Sequence, residues 1–115
     1  MLFRSAVANP RLKNFLEQKG IGVTKIEGLV LPTAVHVGRQ PILKFEELVR
    51  AVNTPDAEGV FVSCTNFVTL SKIDAMEKEI GKPVISANQA TFWGALRKIG
   101  VNDKIKGVGR LFREF

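Results

Sequence analysis

Apolar positions recur at helical spacing in four stretches of the chain. Asn9-Pro10 opens the first, an Asx cap with Pro at the first helical position. Leu12, Phe15 and Leu16 then share a face, and Gly20 is the stop. A second stretch, 42–52, sets Phe45, Leu48, Val49 and Val52 together and ends at Asn53-Thr54-Pro55. The third, about 69–80, puts Leu70, Ile73, Met76 and Ile80 on one stripe, with Lys72, Asp74, Lys78 and Glu79 opposite. Gly81 and Pro83 terminate it. The fourth starts at an Asn88 cap, runs through Ala90, Trp93 and Leu96 to Ile99, and closes at Gly100.

Short apolar runs lie between these helices. GVTKIEGLVL (22–31) reads as one strand, or as two short ones broken at Gly28. GVFVSC (59–64) and KPVISA (82–87) are rich in Val and Ile, bounded by turn residues, and each is followed by a helix. That order predicts buried parallel strands joined by helical crossovers. The expected class is therefore α/β: a small parallel sheet of three strands flanked by helices in three layers, with LFRSAVA near the N-terminus a poor candidate for a fourth. Such a sheet has two edges to protect and little core. Residues 1–115 thus read as a single α/β domain that is a piece of a larger protein, or one that completes itself by pairing with another chain.

Composition narrows the partners. The net charge of +6 comes from 17 Lys and Arg against 11 Asp and Glu, scattered along the chain and mostly alternating in sign. Only 97–113 is locally basic, and no aromatic residues interleave there as in a single-strand-binding face, so no nucleic-acid partner is expected. No apolar stretch approaches the roughly 20 residues that span a bilayer, so no membrane partner is expected either. A single cysteine excludes an internal disulfide framework and suits a reducing cytoplasm.

That cysteine sits in VFVSCTNF (60–67), where an apolar run gives way to small polar residues. Free Cys is commonly a packing residue. Yet ligands in open α/β sheets bind at the carboxyl ends of strands. A thiol at such an end, beside the backbone N–H groups of Thr65 and Asn66, has fixed donors for an anion at hand. Both readings of Cys64 are open on position alone. His36, the lone histidine, reads as a surface residue. Ser86 and Asn88 end the last strand at the same edge, with Asn88 most simply a helix cap. Trp93 reads as packing, Gly107 and Gly109 as turn glycines, and Arg110 as a surface charge.

SCTN (63–66), GKPVISANQATFW (81–93) and GRLF (109–112) together resemble the C-terminal half of the Asp/Glu racemase superfamily, on its branch of maleate cis–trans isomerases and arylmalonate decarboxylases. The resemblance covers about residues 9–113. It implies a pseudo-symmetric fold of two α/β lobes with the active site in the cleft between them, of which this chain is the C-terminal lobe. It also implies a cofactor-independent cysteine enzyme without metal, acting by proton transfer or thiol addition next to a carboxylate of a small mono- or dicarboxylic acid. By the motif match Cys64 is the catalytic cysteine of that lobe, and Thr65 and Asn66 bind substrate. The partners implied are a small carboxylate and a missing N-terminal lobe or homo-oligomeric copy, without which the chain is expected to be inactive. Aspartate/glutamate or hydantoin racemization is the alternative chemistry, and a non-catalytic oligomerisation module the alternative class. MLFRSAV lacks the Tyr of the turn that the resemblance implies near its position, and 31–38 lacks the Asn usual in maleate isomerases.

Overall fold

The computed structural model describes residues 8–115. Its elements in chain order are α1 (Ala8–Gln18), α2 (Ala34–Gly38), α3 (Ile42–Val52), β1 (Val60–Val62), α4 (Leu70–Ile80), β2 (Val84–Ser86), α5 (Ala87–Lys98) and α6 (Arg110–Glu114). β1 and β2 pair in parallel, with Val60 opposite Val84, Phe61 opposite Ile85 and Val62 opposite Ser86. No hairpin can join parallel neighbours, and α4 supplies the crossover. The architecture is the expected α/β class, a small parallel sheet flanked by helices.

Strand side chains alternate in direction, so Val60, Val62 and Val84 turn to one face while Phe61 and Ile85 turn to the other and stay half-buried. The first face is sealed by Phe45, Val49 and Val52 of α3 and by Ile73 and Met76 of α4, which form one buried cluster with it. Phe45 meets Phe67 edge-on, ring centroids 6.2 Å apart at 77°, which pins the turn after β1 to α3. Arg50 Nε lies 2.5 Å from Glu79 Oε1 at the surface, and Lys72 Nζ lies 3.1 Å from the half-buried Glu46 Oε1, two links between α3 and α4. Chiefly through its hydrogen bond, Arg50 holds the Glu79 carboxyl below the ordinary carboxylate range. The contribution of that pair is therefore present above the unfolded pKa and is lost as pH falls through the lowered folded one.

Several expectations change. The run 22–31 carries a single bridge residue, Glu27, among the described residues. Leu29 and Leu31 rest on the core while Val30 between them is 83% exposed, so the alternation expected of a strand is present. The two-stranded β1–β2 pair is the sheet seen among the described residues, where three strands were expected. The poor fourth candidate, 2–8, lies outside them apart from Ala8. Asn9 lies within α1 rather than ahead of it. The five-residue α2 falls in LPTAVHVG, which is too short for a helical period to show. Among the described residues no helix is long and apolar enough to cross a membrane.

Two carboxylates of α4, Asp74 and Glu77, do more than face solvent. Asp74 Oδ1 accepts the Gly109 N–H at 2.8 Å and lies 3.3 Å from Arg113 Nη1. Glu77 is buried, and its two oxygens accept the N–H of Val84 (3.0 Å) and of Arg110 (2.8 Å). Gly109 enters this contact at φ +91°, where a Cβ would stand 2.7 Å from Ile73 Cγ2 and 2.8 Å from Gln89 Nε2. Gly107 has a similar φ of +86° but opens onto free space.

Two measurements check this reading. Glu77→Gln leaves one backbone N–H facing an amide N–H, and it should lower stability in urea by about 1–3 kcal/mol, with the exposed Lys78→Gln within about 0.5 of wild type. Gly109→Ala should be clearly more destabilising than Gly107→Ala, because the strained φ is shared and only the collision differs.

Candidate active site

β1 ends at Val62, and the chain turns through 63–69 before α4 begins. The Val62–Ser86 rung sets the two strand ends level, so this turn and the start of α5 lie side by side. Cys64 is a free, half-buried thiol resting against the apolar cluster. Thr65 and Asn66 are exposed, and Phe67 is buried behind them. The last residue of α2 backs the turn, since a Cβ on Gly38 would lie 3.3 Å from the Asn66 carbonyl oxygen. Among the described residues, the backbone N–H groups of Thr65 and Asn66 meet no acceptor. Among the described residues they remain available as donors to an anion.

Thr65, Asn66, Ser86 and Asn88 edge a hollow of about 440 Å³ whose apolar wall includes Phe92 and Phe112. Cys64 is not part of that wall. The structure thus gathers Thr65 and Asn66 with Ser86 and Asn88 at one hollow, and seats the thiol against the core. A larger hollow of about 940 Å³ lies at the opposite strand ends, between Leu16, Val60 and Pro83, away from Cys64.

The start of α5 corrects one expectation. Ser86, not Asn88, is the N-cap: its Oγ accepts the Gln89 N–H, and Gln89 Oε1 accepts the Ser86 N–H, both at 3.2 Å. This is a capping box, and its Ser-x-x-Gln spacing was there to be read at 86–89. Gln89 Nε2 also donates to the Val108 carbonyl, which joins the cap to the tail. Relieved of capping, Asn88 reaches across the strand ends, and its Nδ2 donates to the Thr65 carbonyl at 2.9 Å.

The remaining candidates take structural roles. His36 is exposed on α2, its Nδ1 2.8 Å from Thr33 Oγ1. The Arg97 guanidinium lies 5.6 Å from the Trp93 ring centroid. Arg110 pairs with Glu114 while its backbone N–H goes to Glu77. Among the described residues no cluster of three metal-ligating side chains occurs.

The sequence profile of the arylmalonate decarboxylase family matches residues 3–112. Arylmalonate decarboxylase of Bordetella bronchiseptica is 35% identical over 109 residues, covering 92% of this chain and 45% of that protein. Maleate isomerase of Geobacillus stearothermophilus is 28% identical over 98 residues, covering 84% of this chain and 39% of that protein. A Nocardia farcinica maleate cis–trans isomerase mutant, solved with a covalently bound succinylcysteine intermediate, superimposes with a TM-score of 0.91 over 99% of this chain and 47% of that one. At 22% identity this last likeness speaks for the fold alone. The chain spans about half the length of the curated relatives it matches. With the family profile matched across nearly its whole length, this chain belongs to the arylmalonate decarboxylase family.

Proposed function

We propose that this chain is one lobe of a cofactor-independent cysteine enzyme acting at the carbon next to a carboxylate of a small mono- or dicarboxylic acid. Cys64 is its reacting group, and the Thr65 and Asn66 N–H groups hold a substrate carboxylate. The observation that carries this reading is the free thiol two residues beyond β1, inside the family match, next to two backbone donors that meet no acceptor among the described residues.

The chemistry follows from those parts. Removing a group from the carbon beside a carboxylate drives negative charge onto the carboxylate oxygens, and fixed N–H donors aimed there stabilise that charge. In a decarboxylation, carbon dioxide leaves with its bonding pair held by the substrate as an enediolate. The Cys64 S–H then gives its proton to that carbon and remains a thiolate until it is reprotonated. In a cis–trans isomerisation, the Cys64 thiolate adds to one alkene carbon and the pair moves toward the carboxylate. The new single bond rotates, and elimination returns both the alkene and the thiolate. The succinylcysteine of the Nocardia farcinica relative is a thioether between a cysteine and a four-carbon diacid, which is the kind of species this second route forms. Both routes run on a thiol and backbone dipoles, without metal or organic cofactor.

A site on one lobe is a single wall. We assign the opposite wall to a second lobe, in a longer protein or in another chain, because the relatives are about twice the length of this one. The net charge of +6 favours an anionic substrate, and the single free thiol suits the cytoplasm.

The test assays the longest native reading frame and its Cys64→Ala variant against maleate and arylmalonates. Loss of the cysteine should lower turnover by at least about 10²–10⁴-fold, the range for a positioned acid–base group. Residues 1–115 alone should show little turnover. Unchanged activity in Cys64→Ala sinks the assignment.

A further inference from the structure

The turn that carries Thr65 and Asn66 is anchored in the core at Phe67, but few bonds hold the peptide between the two. Among the described residues, neither residue exchanges a backbone–backbone hydrogen bond, and their side chains meet only each other, at 3.4 Å. Among the described residues, the one hydrogen bond that grips the peptide joining them comes from Asn88 Nδ2 to the Thr65 carbonyl, across 23 residues. Asn88 is not needed as the cap, because Ser86 and Gln89 cap α5 between them.

In a trans peptide the carbonyl of one residue and the N–H of the next point in opposite directions within one plane. Holding the Thr65 oxygen toward α5 therefore holds the Asn66 N–H away from α5, in one orientation. The same bond draws electron density toward the oxygen and makes that N–H a stronger donor, since hydrogen bonds in a chain polarise one another. We infer that Asn88 is a positioning residue for the reaction, acting through the Asn66 N–H rather than by touching substrate. It aims and strengthens the donor that meets the carboxylate as charge develops there. This rests on the roles proposed above for Cys64 and Asn66.

A donor needed most in the transition state affects kcat more than KM. The experiment uses the longest native reading frame with maleate and phenylmalonate as probes, and compares Asn88→Ala, Asn88→Leu, Asn88→Gln and Cys64→Ala. Asn88→Leu keeps much of the volume without a donor, so a loss there is not a packing loss. Asn88→Gln keeps the amide donor. The expected result is a fall in kcat of about tenfold for Asn88→Ala and Asn88→Leu, with KM within about twofold and most of the loss restored by Asn88→Gln. This is below the roughly 10²–10³ lost when an oxyanion donor is removed outright, since here the donor is misaimed and not deleted. Wild-type kcat in Asn88→Leu beside a dead Cys64→Ala overturns the inference alone. So does a raised KM at unchanged kcat, or failure of Asn88→Gln to restore turnover. An active Cys64→Ala, or a wild type inert toward both acids, overturns the underlying reading and this inference with it.

Discussion

Glu77 takes the N–H of Val84 on one carboxylate oxygen and the N–H of Arg110 on the other, from a position only 6% exposed. A carboxylate is this deep only where donors replace the water it has lost. The arrangement ties α4 at once to the first residue of β2 and to the start of α6. β2 has three residues and few ladder bonds of its own, so a one-residue slip would carry Val84 and Ser86 off the core face and bring Ile85 onto it. The bond to Val84 opposes that slip. Asp74 on Gly109 and Gln89 on Val108 extend the same hold along the tail, and the contact is close enough that only glycine fits at 109. Crossover helix, second strand, last long helix and tail are thus one mechanical unit.

That unit is what gives the candidate site its shape. With β2 in register, Ser86 stands opposite Val62, and the turn after β1 has the first turn of α5 for a neighbour. Ser86 and Gln89 then close the cap on each other, which leaves Asn88 free to hold the Thr65 carbonyl. Phe67, pressed edge-on against Phe45, anchors the other end of the turn in the core. Backbone donors keep a direction only where the backbone is fixed, and here it is fixed from both ends.

The parts legible in the sequence are those in which periodicity and punctuation agree. α3 and α4 carry clean apolar stripes with Asn-Thr-Pro or Gly and Pro behind them, and β1 and β2 are Val-rich runs between turn residues. The run 22–31 has strand composition, but a strand exists only beside a partner, and composition does not name one. α2 is shorter than two helical turns, too short for any stripe. Glu77 carries a signal of its own in the sequence: it lies four residues after Ile73, on the apolar stripe itself, where a carboxylate must be buried and bonded. Asn88 shows the reverse error, a good capping residue outcompeted by Ser86 because Ser86 has Gln89 three positions on. The place of Cys64 at a strand end was readable from pattern, whereas its chemistry rested on resemblance.

The central claim is that the strand-end thiol reacts with the acid substrate, and covalent labelling tests it most directly. Iodoacetamide treatment of the longest native reading frame, with the label mapped by peptide mass, should abolish turnover in step with carboxamidomethylation of Cys64. Saturating substrate acid should slow both equally. Full turnover by protein labelled stoichiometrically at Cys64 would contradict the account.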